Sequence, residues 1–205
     1  MNARIFSIAA VFLIALIAGC GGAGPTPENN YYRLDGPSGV TALEEPATQR
    51  PVVVNTPRAT GVRNERNMLY SEDPNAINLK QYHQHYWEEA PANLVQAWMI
   101  DYLRARNVSP TVVRRSSSRE RITISSWIRR FERLLSEGGR SVVITMEFRV
   151  DVSGRSEPLF LADYETRHSV GRGDMQGTAL AFSEVIEETM QRFSADLEGA
   201  LEGLD

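Results

Sequence analysis

A chain of 205 residues, 42% hydrophobic and 23% charged, has the size and composition of one folded domain, not of a disordered or fibrous protein. With 22 Lys and Arg against 26 Asp and Glu, its net charge is −4, which excludes the dominant positive field that nucleic-acid binding needs to displace counterions. A single cysteine excludes an intrachain disulfide, so the fold must be held by packing.

In chain order, Met1 to Arg4 is a short basic start. Ile5 to Ala18 is an apolar run of about 14 residues, the length of a signal-peptide core and short for a bilayer span. It runs into Ile17-Ala18-Gly19-Cys20. An aliphatic residue, two small residues and a cysteine resemble the lipobox of bacterial lipoproteins. The resemblance implies that residues 1–19 are a signal peptide, that the Cys20 thiol carries a diacylglyceryl group, and that the new amine is acylated as well. Each buried CH₂ contributes about 0.8 kcal/mol of membrane affinity, so one chain is marginal and two or three hold firmly. The residue after the cysteine is Gly21, with no Asp, which by the same resemblance implies the periplasmic face of the outer membrane. An ordinary secretory signal or an uncleaved helical anchor is the competing reading of this segment.

Residues 20–30 read as a lipidated cysteine followed by a flexible tether, since Gly21-Gly22-Ala23-Gly24-Pro25-Thr26-Pro27 carries breakers and no apolar period. Fully extended, it reaches at most about 35 Å. One domain, residues 31–205, follows. Tyr31 to Leu34, Val52 to Val54, Asn67 to Tyr70 and Ile77 to Gln81 are short strand candidates, with a turn at Asp73-Pro74-Asn75. A helix starts at Pro91, carries Leu94, Val95, Trp98, Tyr102 and Ala105 on one stripe, and ends near Asn107. Arg121 to Arg133 forms a strand whose phase switches between Ile128 and Phe131, the signature of a bulge. Val142, Ile144, Met146, Phe148, Val150 and Val152 alternate with polar residues along the next strand. Ser153-Gly154 turns the chain, and Phe160, Ala162 and Tyr164 continue the apolar face. A final helix from about Gly177 to Leu201 buries Ala179, Phe182, Val185, Ile186, Met190, Phe193 and Leu197. The expected class is α+β: a two-layer α/β sandwich, its sheet mainly antiparallel, with two long amphipathic helices on one face.

Several side-chain clusters invite chemistry, and in each the structural reading outweighs the catalytic one. His83, His85, Glu88 and Glu89 fall close together, but a zinc site wants further ligands and second-shell support, so an exposed approach to the helix with Trp87 as its hinge is expected. Asp163 and Glu165 face water and His168 the other side, with no cleft for paired-acid catalysis. Ser116 to Ser118 lack a nucleophile elbow. Gly171-Arg172-Gly173-Asp174 is expected as the loop before the last helix, and Arg114, Arg115, Arg119 and Arg121 as a solvated loop. No catalytic residue, cofactor or metal site is expected.

Taken in order, the landmarks resemble the ABC-type transport auxiliary lipoprotein family, the PqiC-like proteins. They are the lipobox at Cys20, Tyr31-Tyr32-x-Leu34, Val52-Val53-Val54, the strand Asn67 to Tyr70, Ile77-Asn78-Leu79 leading to Trp87, Arg130-Phe131-Glu132, the meander and the closing helix. The family's proline-tyrosine-leucine segment is matched here only by Pro57, within Thr56-Pro57-Arg58-Ala59-Thr60. The resemblance implies a membrane-held, non-catalytic accessory of an ABC/MCE-type system moving lipids between inner and outer membranes. Its implied partners are an MCE-family protein and an ABC permease/ATPase complex, and a homo-oligomer is compatible with it. A structural or regulatory outer-membrane lipoprotein, such as a cell-wall synthase activator or secretion pilot, is the alternative.

Overall fold

The computed structural model describes residues 27–73, 75, 77–136, 139–171 and 174–204. The expected signal peptide, Cys20 and most of the tether lie outside them, as do Pro74, Arg172 and Gly173.

The frame is built on two long strands, β6 (Ile122–Ser136) and β7 (Gly139–Val152), which pair antiparallel along their whole length. Strand β8 (Phe160–Val170) pairs antiparallel with β7. The opposite edge of β6 forks. Its first residues, Ile122 to Ile124, pair in parallel with β2 (Val52–Val54), which carries the two-residue β5 (Val112–Val113) outside it. Its last residues, Arg133 and Leu134, pair in parallel with β3 (Asn67–Ser71). Beyond β3 lie β4 (Leu79–Trp87), antiparallel to it, and β1 (Asn30–Tyr32), parallel to β4.

This eight-stranded sheet is mixed: its long pairings, β6 with β7 and β7 with β8, are antiparallel, while β1 with β4, β2 with β5, β2 with β6 and β3 with β6 are parallel. The parallel entry of β3 follows from the run from Asn55 to Arg66. It does not reverse after β2 but continues beside β6, with Arg58 bridging in parallel to Trp127, so β3 enters in the same direction. The bulge expected after Ile128 is present. Ile128 faces Met146 and Arg130 faces Thr145, leaving Arg129 as the extra residue, so Ile128 and Phe131 both reach the core three positions apart.

Helix α1 (Pro91–Ala105) opens with proline at a position whose N–H has no helical acceptor. It closes at Asn107, whose φ of 61° is the left-handed conformation that asparagine tolerates at helix ends. Helix α2 (Met175–Glu202) is capped by Asp174, whose Oδ1 accepts from the Gly177 N–H at 2.9 Å. Its expected stripe is buried throughout. Phe182 stacks on Phe131 at 4.6 Å and Phe193 on Phe148 at 4.3 Å. The helices are joined near their C-terminal ends, where Arg106 donates through Nε and Nη2 to both oxygens of Glu198 at 2.8 Å. Both helices and the inward side chains of the sheet share one apolar core.

Strand β4 is longer than the sequence suggests. The stretch His83 to Trp87, expected as an exposed approach to the helix, is its second half, and Trp87 is a fully buried core residue.

Candidate functional site

The fold disperses the polar clusters that lie close in sequence. On β4, His83 is exposed, while His85 turns toward β1 and meets the Tyr32 hydroxyl at 2.9 Å through Nδ1. Tyr82 presents its ring edge-on to His85 at 5.8 Å. Burial, and then the Arg133 charge, push the His85 imidazole below its ordinary pKa, which favours the neutral form. Glu88 and Glu89 lie past the strand end. Among the described residues, no three His, Cys, Asp or Glu side chains converge to hold a metal ion.

Asp163 and Glu165 are exposed on β8, Glu165 accepting from the Thr145 hydroxyl at 3.1 Å. His168 faces the other way, as expected, onto α2. Its Nε2 lies 2.7 Å from Glu188 and its Nδ1 3.4 Å from Glu184. Burial pulls its pKa down, but hydrogen bonds to Glu188 and Glu184 outweigh that, and the net shift is upward from 6.5. A group with a raised folded pKa contributes stability that is complete below its unfolded pKa and is lost as pH rises through the folded one. The difference in melting temperature between wild type and His168→Gln will therefore be largest just below pH 6.5 and shrink on the alkaline side. A difference that is flat with pH would refute this charge clamp between β8 and α2.

The serines make loop geometry only. Ser116 Oγ accepts from the Ser118 N–H, and Ser118 Oγ donates to the Glu120 carbonyl. Asp174 is occupied as the cap of α2.

Two charged features escape sequence reading. At the end of β6, Arg133 is buried on the core side, where Nη1 donates to the Tyr82 hydroxyl at 3.3 Å and lies 3.2 Å from Met175 Sδ. Its neighbour Glu132 points to the opposite face, fully buried, and accepts from Arg130 Nε at 2.8 Å. Removing either partner of such a pair alone strands a charge away from water, which is the costly change. The only signal for either residue is its position just past the bulge, where a phase slip of one residue decides which face it takes.

A groove lies beside β2, on the half of β6 away from the β6–β7 turn. It has a volume of about 520 Å³ and is lined by Asn55, Arg58, Ser125, Trp127, Arg149 and Asp151, among others. The Arg58 guanidinium lies over the Trp127 ring at 5.6 Å, and Arg149 donates to both oxygens of Asp151. These groups partner one another, so they present a shaped polar surface and not a free nucleophile or base.

By architecture the chain is a mixed α+β domain, one sheet with two helices. The same fold occurs in a crystal structure from Xanthomonas campestris described under family DUF330, with TM-score 0.73 and 14% identity over 86% of this chain and all of that one. A second solved structure, of an uncharacterized protein, gives TM-score 0.68 and 10% identity over 83% of this chain and 99% of that one. No curated protein matches the sequence. The model of the ABC-type transport auxiliary lipoprotein component matches residues 32–193, and the chain belongs to that family.

Proposed function

We propose that this protein is anchored by lipid on Cys20 to the periplasmic face of the outer membrane. There it serves, without chemistry of its own, as the docking component of an ABC/MCE-type system that moves lipids between the two membranes. The observation that carries this reading is the family match over residues 32–193, on a chain whose Ile17-Ala18-Gly19-Cys20 precedes a short tether. Confinement by an anchor raises the effective concentration of a small domain beside a membrane-bound partner without adding contacts. The groove of Arg58, Trp127 and Arg149 supports docking, because tryptophan and arginine are the side chains that dominate protein interfaces. It also lies away from the direction in which the chain enters β1. Crosslinking in intact cells followed by purification of this protein is expected to recover an MCE-family protein, and to recover less of it from Trp127→Ala. Recovery of a peptidoglycan synthase or a secretin instead would overturn the proposal.

A further inference from the structure

The protein as a whole is acidic, with a net charge of −4, but one corner of it is positive. Strands β2 and β5 run in parallel and end together, so Asn55 and Thr56 after β2 come to lie beside Arg114 and Arg115 after β5. A second groove, of about 370 Å³, opens there, lined by those four residues, by Glu89 before α1 and by Asn93 and Gln96 on it. Asn55 and Thr56 also line the groove of Arg58, Trp127 and Arg149, so the two grooves meet along this dipeptide. Together they hold four arginines against two acids, Asp151 and Glu89, which leaves an excess of positive charge. Asp151 is already engaged by Arg149. Arg58, Arg114 and Arg115 are exposed and pair with no acid among the described residues.

The backbone under these cations is held in place. The Asn55 N–H donates to the Ile124 carbonyl at 2.9 Å, and its Nδ2 donates to Ser125 Oγ at 3.0 Å. The Arg58 N–H donates to the Ser126 carbonyl and the Arg58 carbonyl accepts from the Ile128 N–H, both at 2.8 Å, while the Trp127 ring supports the guanidinium. Preorganised arginines lose little freedom on meeting a carboxylate, to which each offers two parallel N–H donors. No aliphatic side chain lines either groove, so an acyl chain finds no apolar wall here. Nor do the arginines converge on one point: Arg58 and Arg149 line the first groove, Arg114 and Arg115 the second. A single phosphate sits in one groove, whereas an extended chain bearing several carboxylates reaches both.

We propose that the joined grooves bind an extended acidic segment of the protein partner. Its carboxylates meet Arg58 on one side of Asn55 and Thr56, and Arg114 and Arg115 on the other. This rests on the docking role proposed above and names the chemistry of what docks. The net negative charge of the remaining surface repels such a segment and steers it to this corner.

The test uses the full-length protein in intact cells. The photo-crosslinking residue p-benzoylphenylalanine replaces Thr56, which is exposed and shared by both grooves, or Arg140, which is exposed near the β6–β7 turn. Mass spectrometry is expected to find, at position 56 and not at 140, a peptide of the MCE-family protein with more Asp and Glu than Lys and Arg. Adding Arg58→Glu and Arg115→Glu is expected to lower that adduct roughly tenfold, through lost attraction and new repulsion. Changing the acids of the captured segment to lysine is expected to restore it, which also shows that the charge-reversed protein folds. No protein adduct at position 56, adducts to phospholipid there, a captured segment without acidic excess, or an adduct that survives the charge reversal overturns the inference while docking stands. Capture of a peptidoglycan synthase or a secretin in place of the MCE-family protein removes the docking role and this inference together.

Discussion

Replacing Trp87 with alanine will lower the unfolding free energy by about 3–5 kcal/mol, the usual cost of truncating a large buried aromatic residue. Trp87 is 1% exposed and lies at the end of β4, where the indole meets Phe131 of β6 at 5.4 Å and Phe182 of α2 at 5.2 Å, both edge-on. It is the point at which the forked edge of the sheet, the long central strand and the closing helix touch. Its backbone is fixed as well, since the Trp87 N–H donates to the Arg66 carbonyl at 2.7 Å and Arg66 Nε donates back to the Trp87 carbonyl. Because domains hold only about 5–15 kcal/mol in total, the variant is expected to be near its folding threshold at 37 °C. Urea unfolding will show a lowered midpoint with an unchanged slope. Leu161→Ala on β8, more than half exposed, is expected to stay within about 0.5 kcal/mol of wild type. A Trp87→Ala loss below about 1 kcal/mol would mean that the site collapses around the gap and that the three elements do not depend on this side chain.

Cys20→Ala is the second change with a large expected effect, on location instead of stability. A thioether to diacylglycerol needs the sulfur, and no other cysteine exists to replace it. The variant is expected either to retain residues 1–19 or to lose them without gaining fatty chains, and in both cases to vanish from the outer-membrane fraction. At about 0.8 kcal/mol for each CH₂ removed from water, losing the chains abolishes stable attachment outright. Circular dichroism of the domain is expected to be unchanged, which separates lost attachment from lost folding. An outer-membrane pool equal to wild type would refute lipidation at this residue.

Much of the fold is legible before any coordinates, wherever local periodicity and burial coincide. The stripe from Ala179 to Leu197 is buried because a 3.6-residue repeat of apolar side chains has one stable orientation against a sheet. The alternation from Val142 to Val152 is buried on one face for the same reason at period two. The bulge after Ile128 is legible too, since two apolar residues three apart can share the face of a strand only if one residue is extra. The left-handed Asn107 and the capping Asp174 are local devices that stand at the helix ends.

Partner direction is different in kind. Val52 to Val54 is the same β-branched run whether its neighbour is parallel or antiparallel, and its parallel place between β5 and β6 is set by segments far along the chain. The ends of a strand are equally non-local. His83 to Trp87 is polar and aromatic without a clean period, yet β1 and β3 pair along it and Trp87 fills the core.

By its own chemistry, then, the sequence determined which residues form helices and long strands and which faces they bury. These depend on side-chain order over one or two turns. The tertiary structure alone decided that the sheet is mixed, that His168 meets Glu184 and Glu188, and that Glu132 and Arg133 are buried on opposite faces. Each of these is a relation between segments far apart in the chain, and such pairings arise from packing whole elements together, to which no local pattern gives access.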